Sequence, residues 1–96
     1  MDDFFAPPPF KPAEALQRLQ RDLKALGLTE RAGVYERRGT PWVKAAVTDT
    51  VIDAALAKAP ARSPQWQART LNDSAQVRDF LAAVKQHLAR HEDRDE

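Results

Sequence analysis

The sequence predicts an α+β two-layer domain, in which an N-terminal and a C-terminal helix pack on one face of a three- or four-stranded antiparallel sheet. Near each end of the 96-residue chain, leucines and valines recur at spacings of three and four residues, as in amphipathic helices. Between these stretches, short apolar segments alternate with turns that contain glycine or proline, which is typical of strands joined by hairpins. The expected order is helix, three strands, an optional fourth strand, and helix.

The first helix should begin at Pro12, because a proline at the first helical position gives up only an amide that has no partner there. Glu14 in the same turn complements the helix dipole. Gly27 suits the left-handed residue just past the end of the helix, with Leu28 folding back on the last turn. The apolar stripe of this helix consists of Leu16, Leu19, Leu23 and Leu26.

A polar link follows, and then two strands are expected, at residues 33–38 and 42–47. Residues 39–41, Gly-Thr-Pro, should form the turn between them, because glycine accepts positive φ angles. Pro41 has no amide to donate, so it should lie in the turn or at the start of the second strand. The two strands are therefore expected to form a hairpin.

Residues 50–59 fit two patterns. As a helix, the segment would begin after a Thr50 cap and end before Pro60, and helix propensity favours this interpretation. As a strand, the segment would point three side chains into the core: Ile52, Ala54 and Leu56. A hairpin alone is only marginally stable, and a third strand makes the sheet far more stable. The strand interpretation is therefore preferred.

The last third of the chain predicts a loop, a strand and a second helix. Prolines mark residues 60–64 as a loop, and residues 65–71 alternate well enough for a short fourth strand. Asp73 and Gln76 have the spacing of a capping box, which places the start of the helix beside them. The apolar stripe of this second helix consists of Val77, Phe80, Leu81, Val84 and Leu88.

The chain is expected to divide into three parts. Residues 1–11 form a proline- and aromatic-rich arm, expected to be extended because proline blocks both helices and sheet ladders. Residues 12–90 form the single α+β domain, and residues 91–96 form a charged, flexible tail. Residues 11–90 carry a net charge of +6 between acidic ends. Such a surplus attracts anions, but it is also an ordinary means of keeping a small domain in solution.

Composition excludes several classes of function. With no cysteine, disulfides, thiolate catalysis and thiolate zinc sites are all impossible. The longest apolar run covers only residues 80–84, whereas a membrane-spanning helix needs about 20 apolar residues. The acidic start, Met-Asp-Asp, is unlike a signal peptide. A cytoplasmic protein without membrane contact is therefore expected, and its oligomeric state stays open.

Enzymatic activity is not expected, because the groups that catalysis requires already have structural roles. His87 and His91 have the spacing that presents two imidazoles to one metal ion, but two ligands at a helix end make an incomplete site. Ser74 is better explained as part of a helix cap. The three scattered glycines cannot form a phosphate-binding loop. Neither catalytic residues nor a metal or cofactor are therefore predicted.

The preferred hypothesis for function is a small, non-catalytic protein-interaction module. Its binding surface would be the N-terminal arm, the loop at residues 62–66, or an open edge of the sheet, because exposed aromatic and arginine side chains favour interfaces. The candidate partner-binding residues are Phe4, Phe5, Phe10, Arg62 and Trp66.

The alternative hypothesis is nucleic-acid or anion binding by the basic hairpin, residues 31–44. Cations on such a hairpin can contact phosphates while an aromatic ring stacks on an unpaired base. Tyr35 and Trp42 supply the rings. The candidate anion- or nucleic-acid-binding residues are Arg31, Arg37, Arg38 and Lys44.

Overall fold

In the computed structural model, which describes residues 10–92, five strands form one antiparallel sheet with a helix before and after it. The strands lie side by side in chain order. Both helices contact the sheet and each other, so the domain is a two-layer α+β structure and the predicted fold class is confirmed. The elements are α1 (Pro12–Ala25), β1 (Thr29–Arg31), β2 (Val34–Arg37), β3 (Thr40–Thr48), β4 (Val51–Ala57), β5 (Trp66–Leu71) and α2 (Ser74–Glu92).

Helix α1 begins and ends as its sequence predicts. Pro12 occupies the first helical position. Gly27 has a φ angle of +92°, and the amides of Gly27 and Leu28 donate to the carbonyls of Lys24 and Leu23 at 3.0 and 3.2 Å. These two bonds satisfy carbonyls that the last turn of a helix leaves without partners. The helix therefore ends in a left-handed cap that buries Leu28 against the core.

Sequence analysis missed one strand, because the segment expected to be a polar link is the edge strand β1. It pairs with β2 across a turn formed by Ala32 and Gly33, whose φ angles are 55° and 83°. The Glu30 carboxylate accepts the Gly33 amide at 2.8 Å and so supports this turn. All three residues of β1 are exposed, so the segment lacks the apolar alternation that indicates a strand. The sheet accordingly has five strands rather than three or four.

The turn between β2 and β3 also lies earlier than predicted. Arg38 and Gly39, with φ angles of 55° and 79°, form a two-residue turn, in place of residues 39–41. Turns with two positive φ angles match the twist of the strands they join, but they favour asparagine or glycine over arginine. Pro41 is the second residue of β3, near the start of the strand, as expected.

A β-bulge changes the alternation of side chains in β3. Tyr35 pairs with Val43, but Glu36 pairs with Pro41, so Trp42 is an extra residue in the ladder. As a result both Trp42 and Val43 are buried, although they are neighbours in one strand. The bulge thereby directs the Trp42 ring toward the helices.

Strand β4 resolves the ambiguity of residues 50–59 in favour of the strand. It pairs with β3 and β5 in continuous antiparallel registers. Ile52, Ala54 and Leu56 are buried on the helix side, whereas Asp53 is exposed on the other side. The helix propensity of this segment is outweighed here, because a central strand forms backbone hydrogen bonds on both edges and packs its apolar face against the core.

The sheet has one face toward the helices and one outer face. Residues paired across neighbouring strands share a face, so the buried row Tyr35, Val43 and Leu56 defines the helix side. The helices contribute the buried side chains Leu19, Leu23, Phe80, Val84 and Leu88 to the core on this side. On the outer face, the exposed residues include Lys44, Ala46, Asp53, Ala68 and Thr70.

Helix α2 is capped as predicted. The Gln76 amide donates to the Asp73 carboxylate at 2.8 Å, and the Gln76 side-chain oxygen accepts the Asn72 amide. The first bond satisfies an amide in the first turn of the helix, and the second ties Asn72, which precedes the helix, to that turn. Within residues 10–92, neither helix combines the length and the apolar character needed to cross a membrane.

Candidate functional site

A basic cleft lies at the tip of the β2–β3 hairpin, with a volume of about 160 Å³. The hairpin forms one wall, the β4–β5 loop contributes Pro60, and the last turns of α2 contribute Leu88 and His91. Three segments that are far apart in the chain therefore meet here. The lining residues are Arg37, Arg38, Thr40, Trp42, Pro60, Leu88 and His91; this set is called the tip cleft below.

The four cations expected to act together are divided between two places. Arg37 and Arg38 line the tip cleft. Arg31 lies on the outer face, where its guanidinium is 3.4 Å from the Glu36 carboxylate. Lys44 also lies on the outer face, with its ammonium nitrogen 4.5 Å from the centroid of the Trp66 ring. The hairpin therefore does not present one continuous basic surface.

An aromatic cluster lies behind the tip cleft. The Trp42 ring centroid is 5.7 Å from those of both His87 and His91, and the two imidazole centroids are 4.6 Å apart in an edge-to-face arrangement. The Nε2 atom of His87 is buried, and no hydrogen-bond partner for it lies among the described residues. Within residues 10–92, no group of three histidine, aspartate or glutamate side chains is placed to hold a metal ion. The histidines therefore act first as packing partners of Trp42.

Tyr35 carries the second buried polar atom without a partner. Its side chain is fully buried, and its hydroxyl makes no hydrogen bond within the described part of the chain. Burial raises the pKa of Tyr35 above its usual value of 10.0, and the nearby Glu30 carboxylate adds to that rise. The Gln20 amide lies close enough to oppose the rise, although the hydroxyl does not reach hydrogen-bond geometry.

Strand β5 forms one edge of the sheet, and its backbone direction follows from one hydrogen bond. The Lys58 amide donates to the Gln65 carbonyl at 2.9 Å, and the register then continues without a shift to Leu71. Bonded and non-bonded pairs alternate along an antiparallel ladder. The residues whose backbone groups face β4 are therefore Gln67, Arg69 and Leu71. The residues whose backbone groups point away from the sheet are Trp66, Ala68 and Thr70.

The predicted partner-binding residues lie at different places. Trp66 is half-buried on the outer face, opposite the fully buried Ala57. Arg62 is exposed in the loop that precedes β5. Phe10 is half-buried and packs against the core of its own domain, whereas Phe4 and Phe5 lie outside the described residues.

Ser74, which the sequence assigns to a helix cap, is remote from the histidines. Ser74 is the first residue of α2, and His87 follows it 13 positions later in the same helix, a separation of about 20 Å along the axis. These two side chains therefore cannot form a nucleophile–base pair.

Several residues of the tip cleft were not among the predicted site residues. Thr40, Pro60, Leu88 and His91 come from separate segments, and the spacing of the sequence gives no signal that they converge. Of the predicted residues, Arg37 and Arg38 line the cleft, and so does Trp42, which the sequence had placed as a ring within the basic hairpin. Comparison with protein-family models, with curated proteins and with solved structures finds no match to this chain. The function is therefore inferred below from the geometry and chemistry of the described residues.

Proposed function

We propose that this protein is a non-enzymatic interaction module that receives an extended segment of a partner protein along the open edge of β5. The observation that carries the proposal is the outward direction of the backbone groups of Trp66, Ala68 and Thr70. These three amides and three carbonyls match the ladder of an added antiparallel strand. Adding a strand to an exposed edge is a common mode of peptide recognition, in which the main chain provides affinity and alternate side chains provide specificity.

The two edges of the sheet differ in how well they are protected. β1 is three residues long and carries Glu30 and Arg31, and short charged edge strands resist pairing with another chain. β5 is six residues long and has neither a proline nor a break in its register. Residues 67–70 of β5 are all exposed. Since β5 has so few of the features that discourage strand addition, its availability supports a binding role.

The side chains of β5 indicate what the partner strand should carry. On the helix side, the exposed residues are Gln67 and Arg69, and β5 contains no acidic residue. An acidic side chain opposite Arg69 would therefore be favourable. On the outer side, Ala68 leaves room beside the half-buried Trp66 ring for a small apolar residue. The proposed partner is thus an extended segment that alternates acidic and apolar residues.

The test uses amide hydrogen exchange and a matched pair of variants. In the free protein, the amides of Trp66, Ala68 and Thr70 should exchange faster than those of Gln67 and Arg69. A capped peptide that alternates valine and glutamate should protect the three outward amides in a titration. Ala68→Pro removes one outward donor without breaking a bond to β4, so it should abolish this protection, whereas Ala68→Thr should retain it.

Two outcomes would contradict the proposal. Uniform protection of all β5 amides in the free monomer would mean that the edge is already covered. Peptide binding that survives Ala68→Pro unchanged would place the contact elsewhere. Sedimentation at increasing protein concentration distinguishes a second copy of this chain from a foreign segment as the occupant.

A further inference from the structure

We propose that the tip cleft is a second binding site, specific for the phosphate group of a small phosphate monoester. This site is independent of the β5 edge. It is formed by side chains, whereas the edge offers backbone groups, and its residues come from the β2–β3 turn, the β4–β5 loop and the end of α2. Phosphate binding in the tip cleft therefore does not require strand addition at β5.

The polar side of the cleft provides donors suited to phosphate oxygens. Arg37 and Arg38 bring two guanidinium groups, whose planar, forked donors match phosphate geometry better than a lysine would. Thr40 is the direct ladder partner of Arg37, so its hydroxyl lies on the same side of the hairpin. His91 adds an imidazole from the opposite wall. Among the described residues that line the cleft, none is acidic.

The remaining walls are apolar, which indicates a ligand larger than inorganic phosphate. Trp42, Pro60 and Leu88 form this part of the lining, and Trp42 is held against the imidazoles of α2. The volume of about 160 Å³ exceeds the space that a few water molecules occupy, at about 30 Å³ each. A phosphate therefore leaves room for part of an attached organic group against these walls.

The arrangement of the other cations argues against a nucleic acid as the ligand. A polynucleotide needs basic groups along a track that follows successive phosphates. Here Arg31 faces Glu36 and Lys44 faces Trp66, and both lie on the outer face, away from the cleft. The two arginines of the cleft thus form a single anchoring point, which fits one terminal phosphate.

The test is an NMR titration of the full chain with inorganic phosphate and with phenyl phosphate, each at constant ionic strength. Both anions should shift the signals of Arg38, Thr40, the Trp42 indole and the His91 imidazole. Phenyl phosphate should bind several-fold more tightly, because its ring contacts the apolar walls. Arg38→Asn should weaken binding about tenfold, the loss expected for one charge-assisted hydrogen bond.

The variants are chosen to separate binding from folding. Asparagine tolerates the positive φ angle at position 38, so Arg38→Asn should fold as the wild type does. Arg78→Gln is the matched control, because this exposed arginine lies on α2 about 20 Å before His91. Its titration should equal that of the wild type.

Three results would overturn the inference. The first is an absence of shifts at roughly 20 mM of either anion, well above a millimolar dissociation constant. The second is equal weakening by Arg38→Asn and Arg78→Gln, which would indicate a general charge effect. The third is tighter binding of a short single-stranded RNA that depends on Arg31 and Lys44, which would make the ligand a nucleic acid.

Discussion

Replacing Tyr35 by phenylalanine tests whether the core contains a polar group without a partner. The side chain is fully buried, pairs with Glu30 and Val43 in the ladder, and has a hydroxyl that makes no hydrogen bond within the described residues. An unsatisfied buried polar group costs about 1–3 kcal/mol. Phenylalanine keeps the ring and removes the hydroxyl, so Tyr35→Phe should raise the free energy of unfolding by about 1 kcal/mol.

The same substitution should change how stability depends on pH. Burial raises the pKa of Tyr35 above 10.0, so the folded state holds the phenolic proton more tightly than the unfolded state does. Above pH 10 the unfolded chain ionises first and binds fewer protons, and stability therefore falls as pH rises toward the folded pKa. The loss is about 1.4 kcal/mol for each unit by which the pKa is raised. Tyr35→Phe should remove this part of the alkaline decline.

Urea unfolding followed by tryptophan fluorescence at pH 7 and above pH 10 measures both effects. A gain of about 1 kcal/mol corresponds to a Tm roughly 4–8 °C higher in a domain of this size. Because Tyr35 is the only tyrosine in the chain, the ultraviolet absorbance of phenolate reports its titration directly. Every other ionisable group is common to the two proteins, so the difference between them isolates Tyr35.

A loss of stability at pH 7 would refute this reasoning, since it would mean that the hydroxyl is hydrogen-bonded in solution. Gln20 is the residue to examine in that case, because its amide lies near the hydroxyl. Gln20→Ala would then destabilise the wild type more than it destabilises the Tyr35→Phe background. If the hydroxyl has no partner, the two effects should be additive.

Three further substitutions test the helices and the core, each by urea unfolding. Gly27→Ala should cost about 1–2 kcal/mol of stability, because a φ angle of +92° strains any L side chain. Crowding adds nothing to this cost, since the nearest group, the Arg37 Nε atom, is 3.8 Å from the added Cβ. An unchanged unfolding midpoint would show that the left-handed cap is not formed. Asp73→Ala removes the acceptor of the Gln76 amide and should cost about 1 kcal/mol, whereas Asp73→Asn should retain most of the stability. Phe80→Ala should cost about 3–5 kcal/mol, because the fully buried ring leaves a cavity; a loss below about 1 kcal/mol would contradict its place in the core.

Local signals in the sequence were sufficient for the helices but not for every strand. Pro12 and Gly27 mark the two ends of α1, because each residue restricts or permits the backbone conformation of its own turn, independently of the rest of the chain. The strand β4 was preferred over a helix only through the argument that a sheet needs a third strand. β1 was missed, since its exposed residues pair only because β2 lies beside them.

For the candidate sites, too, the sequence identified some residues but not how they are arranged. The sequence indicated that Arg37 and Arg38 belong to a basic hairpin, but it grouped them with Arg31 and Lys44. The side to which each cation points depends on the ladder register and on the bulge at Trp42, which shifts the alternation by one residue. Neither quantity is visible in the local spacing of charges.

By itself, the sequence determined the class of fold, the limits of α1, the cap of α2 and the apolar stripes of both helices. The last three depend on interactions within about one helical turn, whose preferences a short window of sequence contains. The class of fold followed from the order of the two helices and the turn-bounded segments between them. Only the tertiary structure decided that β5 is an edge strand of the sheet and that Arg38, Pro60 and His91 share one cleft. Those contacts join segments separated by tens of residues, and strand order and register, rather than local propensity, bring such segments together.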